Sequence, residues 1–296
     1  MVHVTLGMRI ATFLTWLITT AAATAAPVEL DPSPASIAHA MQGRNVVLLG
    51  EVHDNPVQHA LRAAALRQLL ATGARPVFAF EQFDREHQPD IERARRERPK
   101  DADYLIAQAK GDPAWHWEWY RPYVALALEY DLPIVAANLS RSDAMKVAIE
   151  GWSALFETAA RSQLGLDALP ADFRRKHETA IATGHCNLLP ADALPAQARA
   201  QMARDIVMAQ SIRPYVERSV VLLAGNGHVR RDIGVAFWLS ANERRSLVSI
   251  GLLERDDDAS GPESPAEFDA YAITERAERD DPCKDLAQRL QRGTVR

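Results

Sequence analysis

The strongest constraint on the fold is an alternation of four or five short apolar runs with segments of helical periodicity. The runs are rich in β-branched residues and have the length of buried strands. This alternation is typical of a parallel sheet, because parallel strands need a crossover that a helix usually provides. The runs cover residues 46–49, 77–80, 134–137, 220–224 and 247–253. We therefore predict an α/β fold, with helices flanking a mainly parallel β-sheet.

The helix after the first run has the clearest boundaries. Asp54 or Asn55 can cap it, and Pro56 suits its first position. Arg62 and Arg67 lie outside its apolar stripe, which consists of Val57, Leu61, Ala64 and Leu69.

The chain length suits one α/β domain, which we place at residues 27–254. Residues 143–217 carry only helical and loop signals, too many for a single crossover helix, and predict an inserted helical sub-lobe. Pro195 can begin a long helix there, with Met202, Ile206 and Ala209 on one face, most simply as core residues. Residues 255–296 begin with an acidic stretch rich in Asp, Ser, Gly and Pro, and predict a flexible loop and C-terminal tail.

Residues 1–26 have the pattern of a cleaved signal peptide, with Arg9 before an apolar run and small residues up to Ala26. The apolar run is well short of the roughly 20 residues that span a bilayer, so no stable membrane span is predicted. No cysteine follows the run to carry a lipid. We expect a periplasmic or secreted protein.

The formal net charge of −5 becomes −6 once Arg9 is removed with the signal peptide. This balance disfavours nucleic acid and anionic membranes as partners, and leaves a small molecule as the expected ligand.

The two cysteines, Cys186 and Cys283, are expected to form a disulfide in an oxidising compartment. A nucleophilic Cys186 beside His185 is the alternative, although sequence neighbours usually point apart.

Polar side chains follow four of the apolar runs. Glu51 and His53 follow the first, Glu81 the second, Asn138 the third and His228 the fourth. Because the carboxyl ends of parallel strands share one edge of a sheet, these segments should converge on one cleft. Any one of these residues alone is more simply a helix cap or a satisfied polar group.

Glu51, His53, Glu81 and His228 are candidates for two kinds of chemistry. They could bind a divalent metal ion, whose identity the spacing leaves open, or combine a general base with carboxylates that orient it. The segment 225–230 has two glycines but Arg230 in place of a third, so close backbone approach is a better interpretation than a phosphate-binding turn.

An aromatic segment, WHWEWYRPY, covers residues 115–123. It is interpreted either as a hydrophobic plug leading into a helix or as a platform for a flat apolar ligand. A tyrosine phenolate is a suitable donor for ferric haem, and a cation such as Arg121 could favour that phenolate.

Five segments together resemble the ChaN family of haem-binding uptake proteins, within the wider grouping of Tiki, TraB and erythromycin-esterase-like proteins. The resemblance covers roughly residues 45–253. The segments are LLGEVHDNPVQH, FEQFDREHQ, WYRPYVALALEYDLPIVAANLSR, GHCNLLP and LLAGNGHVRRDIG.

The resemblance implies a parallel-sheet α/β fold with a helical lobe, and haem bound in a homodimer that holds two facing porphyrins. It implies a tyrosine as iron ligand, for which Tyr120 is best placed and Tyr123 is second. A role in haem-iron uptake or handling follows from the same resemblance.

The hydrolytic relatives in the wider grouping imply a different use of the strand-end residues. In those proteins the residues matching Glu51, His53, Glu81 and His228 form the active site. The alternative function is therefore a metal- or histidine-dependent hydrolase of an ester or peptide, with His53 or His228 as base and the two glutamates as metal ligands or orienting groups.

Overall fold

A computed structural model describes residues 26–255 and 264–292. In this part of the chain, seven parallel strands form one sheet in the order β1-β7-β6-β2-β5-β3-β4. The strands are β1 (Val28–Glu29), β2 (Val46–Leu49), β3 (Val77–Asp84), β4 (Ile134–Asn138), β5 (Val220–Leu223), β6 (Leu247–Glu254) and β7 (Ala270–Thr274). The predicted α/β fold is confirmed, and all five apolar runs are strands.

Helices cover both faces of the sheet. Val47 and Leu49 pack into one hydrophobic core, while Val46 and Leu48 between them pack into the other. Both faces of β2 are therefore buried, which explains its uninterrupted apolar sequence. The helices are α1 (Pro34–Met41), α2 (Pro56–Ala71), α3 (Gln88–Glu97), α4 (Ala102–Gln108), α5 (Trp117–Glu129), α6 (Arg141–Glu150), α7 (Thr158–Leu164), α8 (Ala171–Gly184), α9 (Leu194–Ile212), α10 (Asn226–Val229) and α11 (Pro282–Gln291).

The segment predicted as a sub-lobe contains α7, α8, α9 and most of α6. Pro195 lies in the first turn of α9, and Met202 and Ile206 are buried in the same core as Val46 and Leu48. This helix therefore packs directly on the sheet and belongs to the main core.

The segment after residue 254 differs from the predicted flexible tail. Residues 256–263 lie outside the described residues, but β7 pairs with β6 and α11 follows it. The strand was missed because its apolar run, residues 270–273, has alanine at two of its four positions and follows the acidic stretch that was interpreted as the start of a tail. The predicted signal peptide, except Ala26, also lies outside the described residues.

Arg62 in α2 corrects a prediction from helical periodicity. It was placed outside the apolar stripe, yet its side chain is fully buried, while Val57 of the stripe is 53% exposed. The Arg62 guanidinium contacts the Glu51 carboxylate and donates to the Leu49 carbonyl at 2.9 Å. Counting apolar residues could not reveal that Arg62 is buried. The face of α2 that turns to the core is determined by the ion pair of Arg62 with Glu51 in the preceding loop.

The start of α2 follows the predicted pattern. The Asn55 side chain caps it by accepting from the Gln58 amide at 3.1 Å, and Pro56 occupies the first turn. The Asn55 amide also donates to the Glu275 carbonyl at 3.0 Å, so residues after β7 hold the loop that follows β2.

The predicted disulfide is present between Cys186, after α8, and Cys283 in α11. Before it, Arg279 pairs with Asp54 at 3.0 Å. None of the helices that the structure describes is long and apolar enough to cross a membrane.

Replacing both Cys186 and Cys283 by serine should lower the free energy of unfolding by about 2–4 kcal/mol, because the link across 97 residues restricts the unfolded chain. Urea unfolding of the oxidised protein and the variant measures this difference. Wild-type protein treated with a dithiol reductant should match the variant. An unchanged unfolding midpoint in both samples would show that the disulfide does not stabilise the fold.

The variant Arg62→Met should lose about 3–5 kcal/mol of stability, because it leaves Glu51 as a buried charge without its cation. Arg67→Met in the same helix is the matched control. Arg67 pairs with Glu129 in solvent and should contribute less than about 1 kcal/mol. Chemical denaturation measures the stability of both variants. Equal losses of stability would contradict the larger contribution expected of the buried pair.

Candidate functional site

The candidate site lies at the carboxyl edge of the sheet, where β2, β5 and β3 are neighbours. Glu51 and His53 follow β2, Glu81 lies in the second half of β3, and His228 lies in α10 after β5. All four line one cavity of about 370 Å³. The structure therefore brings together these four predicted residues.

The Glu51 carboxylate is buried beneath this cavity and has four side-chain partners. The Tyr120 hydroxyl donates to Glu51 Oε1 at 2.6 Å, and His53 Nδ1 lies 3.1 Å from the same oxygen. On the other side, His59 Nδ1 lies 3.2 Å from Oε2, which Arg62 also contacts. These partners stabilise a carboxylate that burial alone would disfavour.

His228 and two acids form a second buried network. Asp205 Oδ1 lies 2.6 Å from His228 Nδ1, and Glu81 Oε1 lies 3.4 Å from His228 Nε2. The other Glu81 oxygen accepts from the Gly225 amide at 2.8 Å. The network links α9, α10 and β3.

The electrostatics of this network favour a protonated His228. Burial opposes its charge, but Glu81 and Asp205 outweigh burial and raise the pKa of His228 to about 10. Burial also opposes the charge of Glu81, yet His228 and His53 hold the pKa of that carboxyl well below its usual range. Burial raises the pKa of Asp205 to about 6. His228 is therefore an imidazolium between two carboxylates at neutral pH.

His53 is the accessible member of the site, with 45% of its side chain exposed. Its Nε2 lies 3.9 Å from Glu81 Oε1, and its ring meets Trp115 edge-on at 5.0 Å. A Cβ at Gly225 would lie 2.6 Å from His53 Nε2. The predicted close backbone approach is thus confirmed at Gly225, whereas a Cβ at Gly227 would meet no atom within 4 Å.

Tyr120 and Tyr123 lie in α5 and are fully buried. Tyr120 donates to Glu51, and Tyr123 donates to the His59 carbonyl at 2.9 Å. Burial raises the pKa of Tyr120 far above its ordinary value and that of Tyr123 to about 12. Arg121, expected as a nearby cation, instead pairs with Asp103 in solvent. Both tyrosines are therefore neutral phenols.

Different residues of the aromatic segment fit the two interpretations, core packing and a surface for a ligand. Trp117 stacks on Phe83 at 5.0 Å and serves as core packing. Trp115 lines a second cavity of about 220 Å³. Trp119 stacks on His59 at 5.3 Å and so covers a partner of Glu51.

Asn138 lines this second cavity instead of the first. Its side-chain oxygen accepts from Arg204 at 2.9 Å, and Arg204 lines both cavities. Asn138 therefore lies in a different cavity from the other predicted site residues, and the Arg204 side chain lines both cavities.

The four residues predicted as possible metal ligands do not form a metal site in the described part of the chain. Among the described residues, no three His, Cys, Asp or Glu side chains converge as metal ligands. The physical reason is that Glu51 faces Arg62, and His228 Nδ1 faces Asp205.

Sequence reasoning missed His59, Arg62 and Asp205. Asp205 lies between Met202 and Ile206 on the buried face of α9, and an acid in an apolar helical stripe signals a buried partner. Periodicity gave no comparable signal for His59 or Arg62.

Comparison with known proteins identifies the family. The family model described as haem-binding uptake, Tiki superfamily, ChaN matches residues 37–239, more than half of the chain. Among curated proteins none matches.

Three solved structures match this chain to different degrees. ChaN of Campylobacter jejuni, described with cofacial haem binding, is 21% identical, with a TM-score of 0.61 over 79% of this chain and 88% of that one. A Bacillus cereus protein is 13% identical, with a TM-score of 0.40 over 85% and 77%. A mutant of the erythromycin esterase EreC is 14% identical, with a TM-score of 0.45 over 78% and 76%. By the family match, this chain belongs to the ChaN family of haem-binding uptake proteins in the Tiki superfamily.

Proposed function

We propose that this protein is an exported haem-binding protein that serves in haem-iron uptake or handling. The observation that carries the proposal is the family match, whose range of 37–239 includes every residue of both cavities. Cofacial haem binding is described for ChaN of C. jejuni. The cavities at the carboxyl edge of the sheet are where we expect the porphyrin to bind.

The chemistry of the two cavities supports a flat ligand with acidic groups. They share Arg204 as a lining residue. Trp115 and His53 offer ring surfaces, and the Arg204 guanidinium suits a carboxylate such as a porphyrin propionate. This combination of ring surfaces with a few polar groups is typical of small-molecule sites.

Export and dimer formation are further parts of the proposal. The disulfide between Cys186 and Cys283 supports an oxidising compartment. The His53 side chain is 45% exposed, so a porphyrin bound beside it would be reachable from solvent. A second copy of the chain with its own porphyrin could cover it there.

Titrating the purified protein with hemin should give a saturable change in the Soret absorbance at one hemin per chain. Arg204→Gln should weaken binding by about tenfold or more, because a hydrogen bond to a charged group contributes about 1.5–3 kcal/mol. Arg121→Gln, at an exposed ion pair, is the control and should bind as the wild type does.

The same titration tests the dimer. The mass measured by light scattering should double when hemin is added. A Soret response that grows linearly without saturation would refute haem binding, whereas saturable binding by a species of unchanged mass would refute only the dimer.

A hydrolase is a second candidate, and one observation favours it. His53 Nδ1 is held by Glu51, as in an acid-oriented general base, and a protonated His228 lines the same cavity. In such a reaction His53 would accept a proton from water, and the positive charge of His228 would stabilise the developing oxyanion.

If the protein hydrolyses esters, His53→Ala and Glu81→Ala should fold and lose about 10²–10⁴-fold in turnover. A screen of chromogenic esters with circular dichroism of each variant measures this. His116→Ala, which removes an exposed imidazole outside the cavity, is the control and should retain full turnover. Undiminished turnover in both site variants would eliminate this candidate.

A further inference from the structure

We propose that the second cavity, around Gln82, is a binding site for a small carboxylic acid that carries a hydrogen-bond donor beside its carboxylate. This inference goes beyond the proposed function, because such an acid would bind there whether or not the protein binds haem. The residues that line the cavity are Gln82, Asp84, Lys110, Asp112, Ala114, Trp115, Asn138, Arg141 and Arg204.

The Gln82 side chain is the first reason to expect a ligand. It lies in β3 and is 3% exposed, and among the described residues neither its Nε2 nor its Oε1 has a hydrogen-bond partner. The neighbouring Tyr120 hydroxyl gives its one proton to Glu51, so it cannot serve Oε1. Buried polar atoms of native proteins are nearly always hydrogen-bonded, because leaving them without a partner is costly. A ligand that accepts from Nε2 and donates to Oε1 would satisfy both atoms.

The cations of the cavity are suited to a carboxylate. Lys110, Arg141 and Arg204 all line it. Arg204 donates to the Asn138 side-chain oxygen at 2.9 Å and to the Leu139 carbonyl at 2.8 Å. Two neutral oxygens therefore hold the guanidinium in place, and its positive charge can pair with the carboxylate of a ligand.

The acids of the cavity are suited to a donor next to that carboxylate. Asp84 lies at the end of β3, where burial raises the pKa of its carboxyl group above the ordinary value. Asp112 is held by the Ala114 amide, which donates to its Oδ1 at 2.8 Å. A hydroxyl or ammonium group of the ligand would find an acceptor in either acid or in Gln82 Oε1.

The size of the cavity limits the ligand. Its volume of about 220 Å³ equals about seven water molecules at roughly 30 Å³ each. Trp115 adds a ring surface that a short carbon chain can contact. The volume suits a three-carbon acid, and of a porphyrin it could admit only a propionate group.

Calorimetric titration with lactate, alanine and propionate tests the site. The three share one carbon chain, but lactate carries a hydroxyl and alanine an ammonium group where propionate has hydrogen. Lactate or alanine should bind saturably at one per chain and about tenfold or more tightly than propionate, because only they can donate to Gln82 Oε1. Absence of saturable binding by both, or equal affinity for propionate, would overturn the proposal.

The variant Gln82→Leu should lose this preference and bind lactate and alanine about tenfold or more weakly. Its urea midpoint should be no lower than that of the wild type, because the change removes a buried amide that has no partner. Gln163→Leu, the same change at an exposed position outside both cavities, is the matched control and should bind as the wild type does. If Gln82→Leu does not fold, Arg204→Gln replaces it and should weaken binding of all three acids. Unchanged affinity in the folded variant would contradict the site.

Titration with hemin separates this site from the proposed function. If the cavity serves only a propionate of haem, hemin will bind and lactate and alanine will not, which overturns the inference and leaves haem binding intact. If lactate or alanine binds and hemin does not, the inference is confirmed and the proposed function fails.

Discussion

The buried ion pair of Glu51 and Arg62 is the interaction on which the site depends. A carboxylate under a sheet edge would be expensive to bury alone, and Arg62 from the following helix compensates it. The same guanidinium donates to the Leu49 carbonyl, so it ties α2 to the end of β2. With its charge held there, Glu51 becomes a fixed acceptor for His53 and Tyr120.

The site consists of two charge networks that meet at His53. One contains Glu51 and its cation Arg62, and the other contains His228 between Glu81 and Asp205. Each network pairs its buried charges with opposite charges of its own. His53 lies 3.1 Å from Glu51 and 3.9 Å from Glu81, and its exposed ring is the part that a ligand can reach.

The sequence predicted the parallel sheet and the convergence of Glu51, His53, Glu81 and His228, because the carboxyl ends of parallel strands must share an edge. It did not predict Arg62 or His59, since helical periodicity treats polar side chains as solvent-facing unless a partner is known. Those partners are set by how α2 packs on the sheet. The strand β7 was also not predicted, because its short apolar run is half alanine and follows an acidic stretch.

The two candidate functions compete for one cavity. A general base needs the Nε2 lone pair of His53 open to water, whereas a flat apolar ligand bound in the cavity would exclude water from it. Haem bound there would therefore block any hydrolysis that uses His53 as base, and a protein that did both would do so only in separate states.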